Sequence, residues 1–340
     1  MPELRVRPDD LAVCELADGE PAREDVAEGE AQLRVERFAL TTNNVTYGVL
    51  GDQLGYWRRF PAPDGWGRIP AWGYATVTVS RAPGVAEGAR VFGFVPMASH
   101  VTIRPVPHPL GFRDAAPHSA DLNPIYIQYL AVDDEAEDAA LVWRPLFGTS
   151  VLLDLDLGEH GLPDTVVLTS ASSKTAIGLA HLLRARPVRV VGLTSPARRA
   201  WVQELGLYDE VLGYDRLDRL DAGADVALID FAGDWALVGR LHERLGPALR
   251  RSLLVGYTHR RSEAVAPPVS AVRYSAPAEI VRRGRSLATD YAAAWRAFAP
   301  VAGRVLRIER LSGGDALVGA YRALLEGRAD PGVAHIAELP

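Results

Sequence analysis

Residues 166–183 read VVLTSASSKTAIGLAHLL. A short, wholly apolar strand, 165–169 (TVVLT), runs through Ser170-Ala171-Ser172-Ser173-Lys174-Thr175-Ala176 straight into a helical pattern from about Lys174 to Arg186. A strand apolar at every position is covered on both faces, as strands in parallel sheets are. The pattern repeats downstream: strand 188–193, helix 196–205, a short strand near 210–212, strand 225–229, helix 235–246 and strand 252–256. Buried strands alternating with amphipathic helices predict βαβ units and a doubly wound parallel sheet.

Upstream the rhythm differs. The runs 31–40, 74–79, 89–95 and 99–104 are short, β-like and separated by Gly and Pro, which predicts a compact β-barrel rather than helices. IYIQYLAV from 125 and the stretch Ala139–Leu155 have helical spacing. The end reads as strand 304–310, helix 314–326 and strand 332–339. The expected plan is therefore α/β plus β: a barrel domain over 1–124, a doubly wound domain over 125–275, and a segment 276–340 that rejoins the first.

Composition narrows the function. Among 340 residues, 43 acids against 37 bases leave a net charge of −6, which argues against a nucleic-acid partner because phosphate neutralisation needs a concentrated basic face. The one cysteine, Cys14, excludes intramolecular disulfides and multi-cysteine metal sites. No run approaches 18 apolar residues and MPELRVRPDD is unlike a signal peptide, so a cytoplasmic protein without membrane attachment is expected. Lys174 is the single lysine. An Arg-, Ala-, Gly- and Pro-rich chain points to a GC-rich bacterial coding bias. Arginine clusters (Arg58 and Arg59; Arg282, Arg283 and Arg285) are accordingly read as solvated surface.

The 170–176 loop lies where a dinucleotide fold carries a glycine fingerprint, which turns the chain tightly and aims helix N–H groups at a pyrophosphate. Ser170, Ser173 and Ala176 occupy the glycine positions. Ala serves the packing role of the third; Ser at the first two is a departure. The Ser172 and Ser173 hydroxyls and the Lys174 ammonium can donate to phosphate instead. The plainer alternative is a serine N-cap beside a solvated lysine. A P-loop fails because Leu168 and Ser173 replace its glycines, and a short-chain dehydrogenase fails because Ser170 stands where its tyrosine is required. A Schiff-base lysine fits a helix start poorly. Past the next strand, Thr194, Ser195, Arg198 and Arg199 stand where NAD-specific folds place an acid, and no Asp or Glu lies between Val188 and Gln203. Hydroxyls and arginines there suit a 2′-phosphate, hence NADP(H), the alternative being ordinary surface arginine.

In order and spacing the chain resembles the medium-chain dehydrogenase/reductase superfamily, on its zinc-free quinone oxidoreductase and enoyl reductase side. The likeness rests on Thr42–Tyr47 (TNNVTY) for A-x-N-P-x-D, Pro70–Ala75 (PAWGYA) for P-x-x-x-G-H-E, Gly88–Val91 (GARV) for G-D-R-V, and Met97–Val101 for G-x-x-A-E-Y. Asp225–Gly233 (DVALIDFAG) is similar to D-V-V-L-D-x-x-G, and Leu254–Thr258 to the strand ending in I-G. It implies a GroES-like barrel with an inserted Rossmann-type domain, and a homodimer. Tyr74 and Ala75 replace the zinc-binding His and the Glu, so no zinc is expected.

The resemblance also implies roles. Tyr56, twelve residues beyond Asn44, resembles the proton-donating tyrosine of enoyl-thioester reductases and is read as general acid or oxyanion donor, with Tyr47 second; the plainer alternative is a packed tyrosine whose hydroxyl reaches solvent. Asn44, Thr149, Tyr257 and Thr258 are placed toward the nicotinamide. Tyr47, Tyr56, Trp57, Phe60, Trp66, Trp72 and Tyr74 concentrate between 47 and 74 in a chain only 8% aromatic. Trp57, Trp72 and Tyr74 are read as lining a pocket for a flat or acyl-thioester small molecule, or else as filling the barrel. The expectation is an NADPH-dependent, zinc-independent reductase of an activated C=C or C=O. The alternative is a lyase, isomerase or ligand-binding protein that lost nicotinamide along with the glycines.

Overall fold

The computed structural model describes residues 1–340 except 20–21, 64, 133–136, 222, 257–265, 267 and 285. Along the chain come β1 (Pro2–Val6), β2 (Cys14–Asp18), β3 (Ala31–Leu40), α1 (Thr42–Val49), α2 (Tyr56–Arg59), β4 (Pro70–Ser80), β5 (Arg90–Pro96), β6 (His100–Ile103), β7 (Pro105–His108), β8 (Gly111–Asp114) and β9 (Gln128–Ala131). Then follow α3 (Asp138–Glu159), β10 (Thr165–Leu168), α4 (Lys174–Leu183), β11 (Arg189–Thr194), α5 (Arg199–Glu204), β12 (Glu210–Gly213), β13 (Val226–Asp230), α6 (Trp235–Leu245), β14 (Leu249–Leu254) and β15 (Val272–Arg273). The chain ends with α7 (Ala276–Arg283), α8 (Ser286–Val305), β16 (Arg307–Ser312), α9 (Gly314–Leu325) and β17 (Val333–Glu338).

These form two units, Met1–Val142 with Leu306–Pro340, and Trp143–Val305. The boundaries thus fall later than 124/125 and 275/276. At the first, 125–132 is not helical: Pro124 opens a 3-10 turn, and the β-prone Ile and Tyr residues that follow lead into β9, which pairs β5 and β8. At the second, α8 is tied to α3 by aromatic packing. Phe298 stacks on Phe147 at 4.3 Å and meets Trp143 edge-on at 4.7 Å, while His181 of α4 lies 5.2 Å away. The expected strand 304–310 starts at Arg307, after α8 ends.

The first unit carries a nine-stranded sheet in which β16-β17-β3-β4-β5-β9-β8-β7 are successive neighbours and β6 also pairs β3. β16, α9 and β17 form a parallel βαβ unit, and β17 runs antiparallel to β3 through Ala337↔Phe38. Helices α1 and α2 interrupt a stretch expected to be barrel alone. Between β4 and β5 the core is aromatic, with Trp72 stacked on Phe92 at 5.3 Å and Tyr47 edge-on to Phe94 at 5.0 Å.

Arg59 overturns the reading of the arginines as surface. Its side chain is 1% exposed and fully engaged. It donates to Asp114 Oδ2 (2.7 Å), Tyr129 Oη (2.8 Å), Ser119 Oγ (3.3 Å) and the Tyr126 carbonyl (2.9 Å). A buried guanidinium persists because each of its three nitrogens meets an acceptor, one of them a carboxylate. Arg58, one residue earlier, is exposed and faces Asp121 at 3.6 Å, as a surface arginine should.

The second unit holds a six-stranded sheet ordered β12-β11-β10-β13-β14-β15, with parallel pairing throughout. Counted within the sheet that is the 3-2-1-4-5-6 order of a Rossmann fold, whose direction reverses between the first and fourth strands, here β10 and β13. Its core joins Val167, Val191, Leu193 and Leu228 to Leu237, Val238 and Leu241 of α6. Gly178 lets α4 close on α3: a Cβ there would lie 2.6 Å from Ser150 Oγ, and Ser150 Oγ donates to the Thr175 carbonyl at 2.8 Å.

Removing one partner of the buried Arg59–Asp114 pair strands the other without solvent. Asp114→Ala is expected to lower stability by about 3–5 kcal/mol in urea unfolding, whereas Asp121→Ala, at the exposed pair, shifts it by no more than about 0.5 kcal/mol.

Candidate functional site

In the second unit the loop between β10 and α4 turns on Ser170. Its φ is +47°, and it is the only non-glycine residue with positive φ among the described residues. That is the left-handed conformation a glycine adopts at no steric cost, and the first fingerprint position needs it to turn from strand into helix. Serine holds it at a cost of about 1–2 kcal/mol, and local bonds compensate. The Ser170 N–H donates to Tyr214 Oη at 2.8 Å, Ser173 N–H to the Ser170 carbonyl at 2.7 Å, and Ala171 N–H to the Leu193 carbonyl at 2.9 Å. Tyr208 adds a bond from its hydroxyl to the Ala171 carbonyl at 2.7 Å.

Ser173 is the N-cap of α4, its Oγ accepting from Ala176 N–H at 3.3 Å. Capping occupies a lone pair and leaves the hydroxyl hydrogen to donate, so capping and phosphate binding are compatible at this residue. Ser172 is buried, and Lys174 is the first helical residue. The positive end of the α4 dipole therefore coincides with the loop. Beneath it, Thr169 and Asp230 bridge β10 and β13 where the strand order reverses. Thr169 Oγ1 donates to Asp230 Oδ1 at 2.5 Å, and Asp230 also accepts from the N–H groups of Ala232 and Gly233. Burial raises the Asp230 carboxyl above the ordinary carboxylate value, against the lowering effect of those bonds.

β11 ends at Thr194, which is buried; Ser195 and Arg198 are half-buried in and before the 3-10 turn Pro196–Arg198, and Arg199 is exposed. Pro196 delays α5 to Arg199, later than the expected 196. Tyr214 is the residue the sequence did not disclose. Burial pushes its hydroxyl up to about 12, with Asp230 and Asp234 raising it and the Arg198 charge opposing them. Ser170, Arg198 and Tyr214 therefore share one neighbourhood beyond the ends of β10, β11 and β12. The β12–Tyr214 junction offers no motif by which to find it. Thr149 lies within α3, its hydroxyl bonded back to the Pro145 carbonyl at 3.4 Å. Tyr257, Thr258 and Arg285 lie outside the described residues. Arg282 and Arg283 are in ion pairs with Glu159 at 2.9 and 2.7 Å.

In the first unit the tyrosines converge. Tyr56 and Tyr126 hydroxyls are 2.9 Å apart, and Trp72 Nε1 donates to Tyr47 Oη at 3.0 Å. Burial pushes the Tyr47, Tyr56 and Tyr126 hydroxyls well above the ordinary phenol value, so they stay neutral donors. Tyr126 is the second residue the sequence did not disclose. Asn44 is buried and engaged locally: its Oδ1 accepts from Thr41 N–H at 2.7 Å and its Nδ2 donates to the Pro70 carbonyl at 2.9 Å, fixing the start of α1.

Two residues read as pocket lining are placed otherwise. Tyr74 is 0% exposed, its hydroxyl donates to the Glu137 carbonyl at 3.1 Å, and Arg37 and Arg90 flank its ring at 4.9 and 5.1 Å. No surface of it is left for a ligand. The Trp57 indole packs against Gly51 and Gly67, where a Cβ would come within 2.1 and 2.6 Å of it. Trp72 remains with the tyrosines. Among the described residues no group of three or more His, Cys, Asp or Glu side chains converges as a metal site, and no helix is long and apolar enough to cross a membrane.

The left-handed turn makes a direct prediction. Ser170→Gly is expected to be neutral to stabilising by up to about 1 kcal/mol, and Ser170→Val to cost about 1–2 kcal/mol, both read by urea unfolding.

Solved structures with this fold include CurA from Vibrio vulnificus in complex with NADPH (14% identity, TM-score 0.68, covering 100% of this chain and 99% of that one). The quinone oxidoreductase from Thermus thermophilus, solved also with NADPH, matches at 19% identity and TM-score 0.57 over 100% of both chains. The yhdH oxidoreductase from Salmonella enterica in complex with NADP matches at 13% identity and TM-score 0.61, again over 100% of both. At these identities the likeness establishes the two-domain fold of medium-chain dehydrogenases/reductases. No curated protein matches the chain. A family model described as "Protein of unknown function (DUF2855)" matches residues 38–330, and the chain belongs to that family.

Proposed function

We propose that the protein is an NADPH-dependent reductase of an activated C=C or C=O bond that works without zinc. One observation carries the reading: Ser170 adopts the left-handed turn of the missing glycine, at the reversal point of a 3-2-1-4-5-6 sheet and at the N-terminus of α4. The residues present therefore fit a dinucleotide. Ser172, Ser173 and Lys174 hold its pyrophosphate, and Arg198 with Ser195 takes the 2′-phosphate where a NAD-specific fold would present a carboxylate.

Bound there, NADPH supplies a hydride. The chain's own contribution lies in the first unit, where neutral tyrosine hydroxyls set in an aromatic wall donate hydrogen bonds to a substrate oxygen as it gains charge. Phenols kept neutral by burial suit hydrogen-bond donation to an oxyanion, and the proton that completes the reduction then comes from water. The surrounding rings suit a flat, conjugated small molecule. Loss of nicotinamide binding, the reading that missing glycines invite, has less support once serine is found to supply the same turn.

Lys174→Ala is expected to raise the NADPH dissociation constant at least about tenfold, or about 1.4 kcal/mol; an unchanged constant removes Lys174 from the site. Arg198→Ala should weaken NADPH much more than NADH, and equal losses for the two cofactors would contradict a 2′-phosphate role.

A further inference from the structure

The crevice at the reversal point has two walls, because β10 and β13 flank it. One wall is the 170–176 loop that leaves β10. The other is the loop 231–234 that leaves β13 and ends at Asp234, the N-cap of α6, whose side chain accepts from Leu237 N–H at 3.0 Å. Thr169, the residue just before the first loop, holds the second. Thr169 and Asp230 are both fully buried. Thr169 Oγ1 accepts from Phe231 N–H at 2.9 Å and from Ala232 N–H at 3.3 Å. A hydroxyl has two lone pairs and one hydrogen. With both lone pairs taken, the hydrogen goes to Asp230 Oδ1, 2.5 Å away. Asp230 therefore receives rather than gives, and it closes the loop further by accepting from Ala232 N–H at 3.1 Å and Gly233 N–H at 3.0 Å.

The same backbone is closed from the β14 side. Val255 and Gly256 N–H both donate to the Asp230 carbonyl, at 2.8 and 3.0 Å. A Cβ at Gly256 would overlap the Phe231 carbonyl oxygen, so the two segments meet backbone on backbone. The N–H groups of 231, 232 and 233 are all turned inward, onto one hydroxyl and one carboxyl group. None of the three is left to bind an anion, and a carboxylate caps the N-terminus of α6, so the phosphate role falls to the 170–176 wall. The shape of the 231–234 wall hangs on Thr169. Without its hydroxyl the Phe231 amide loses its acceptor, the Ala232 amide one of two, and the Asp230 carboxyl a donor.

We infer that Thr169 is a positioning residue for the dinucleotide: its hydroxyl locks the 231–234 loop to the end of β10, so that the two walls of the crevice keep a fixed separation. The inference rests on the proposed NADPH reading for its ligand, and it adds a residue outside the pyrophosphate and 2′-phosphate contacts. Being buried, Thr169 touches no part of the cofactor and acts through the Phe231 and Ala232 backbone.

Two substitutions separate the hydroxyl from the rest of the side chain. Thr169→Val keeps the shape and deletes the hydroxyl; Thr169→Ser keeps the hydroxyl and deletes the methyl. In the full-length protein, NADPH affinity would be measured by calorimetry. Amide hydrogen exchange would be followed by mass spectrometry in the peptide covering 229–236 and, as a control for global opening, in one covering 188–194. Thr169→Val is expected to weaken NADPH about tenfold and to speed exchange in 229–236 about tenfold, with 188–194 unchanged. Thr169→Ser is expected to stay within about twofold of wild type in both readouts. Wild-type NADPH affinity in Thr169→Val overturns the inference. So does unchanged exchange in 229–236, exchange that rises equally in both peptides, or a loss in Thr169→Ser equal to that in Thr169→Val. Folded wild type that binds no NADPH sinks the reductase reading instead, while exchange in 229–236 that depends on the hydroxyl leaves the lock on the loop standing. Should Thr169→Val unfold, Asp230→Asn keeps an oxygen for the Thr169 hydroxyl but sets an NH2 group against the Gly233 N–H. It is expected to lower NADPH affinity severalfold with faster exchange in 229–236; wild-type NADPH affinity there would overturn the inference.

Discussion

The second unit depends on a backbone constraint at a single residue. To leave β10 and enter α4 over the reversal point of the sheet, the chain must turn left-handed at residue 170, and it does so with a serine. Glycine would make that turn without strain; serine requires compensation, and the surrounding structure supplies it. The Tyr214 hydroxyl holds the Ser170 N–H, and the Thr169–Asp230 bridge fixes the strand ends on which the turn stands. The Tyr214 contact has a further consequence, because it brings the start of the segment after β12 to the 170–176 loop. The strain is thus absorbed by the residues that hold the loop between β10 and α4.

The first unit is organised around a different constraint, a permanent charge in an aromatic core. Desolvating a guanidinium is costly unless its donors are matched, and the acceptors of Arg59 come from β8, β9 and the two short turns that lead into β9. Matching them assembles the loop that carries Tyr126. The same network that keeps the charge tolerable therefore positions the hydroxyl pair, and the fold and the candidate chemistry of this unit are not separable.

Much of the fold was legible because its signals are local. Apolar strands such as TVVLT and DVALI, and the strand–loop–helix passage at 165–183, report a covered parallel sheet by composition alone. Where the reading failed, longer-range partners decided. IYIQYLAV has helical spacing, yet Pro124 and pairing with β5 and β8 made its second half β9. Arg59 is one arginine among many in the sequence, and only Asp114, Ser119 and Tyr129, all more than fifty positions away, reveal it as core. Tyr126 and Tyr214 were missed for the same reason: each is defined by a hydroxyl contact to a residue 70 or 44 positions distant. Tyr74 erred in the opposite direction, since aromatic density says nothing about which face of β4 a ring occupies.

Everything proposed for the second unit requires that a loop without glycines still hold a dinucleotide. Calorimetric titration of the wild-type protein with NADPH and with NADH decides it. Micromolar NADPH binding is expected, with NADH weaker by an order of magnitude or more, if, as proposed, the loop takes the pyrophosphate of both and the arginine side takes the 2′-phosphate of one. Folded protein that binds neither would contradict it.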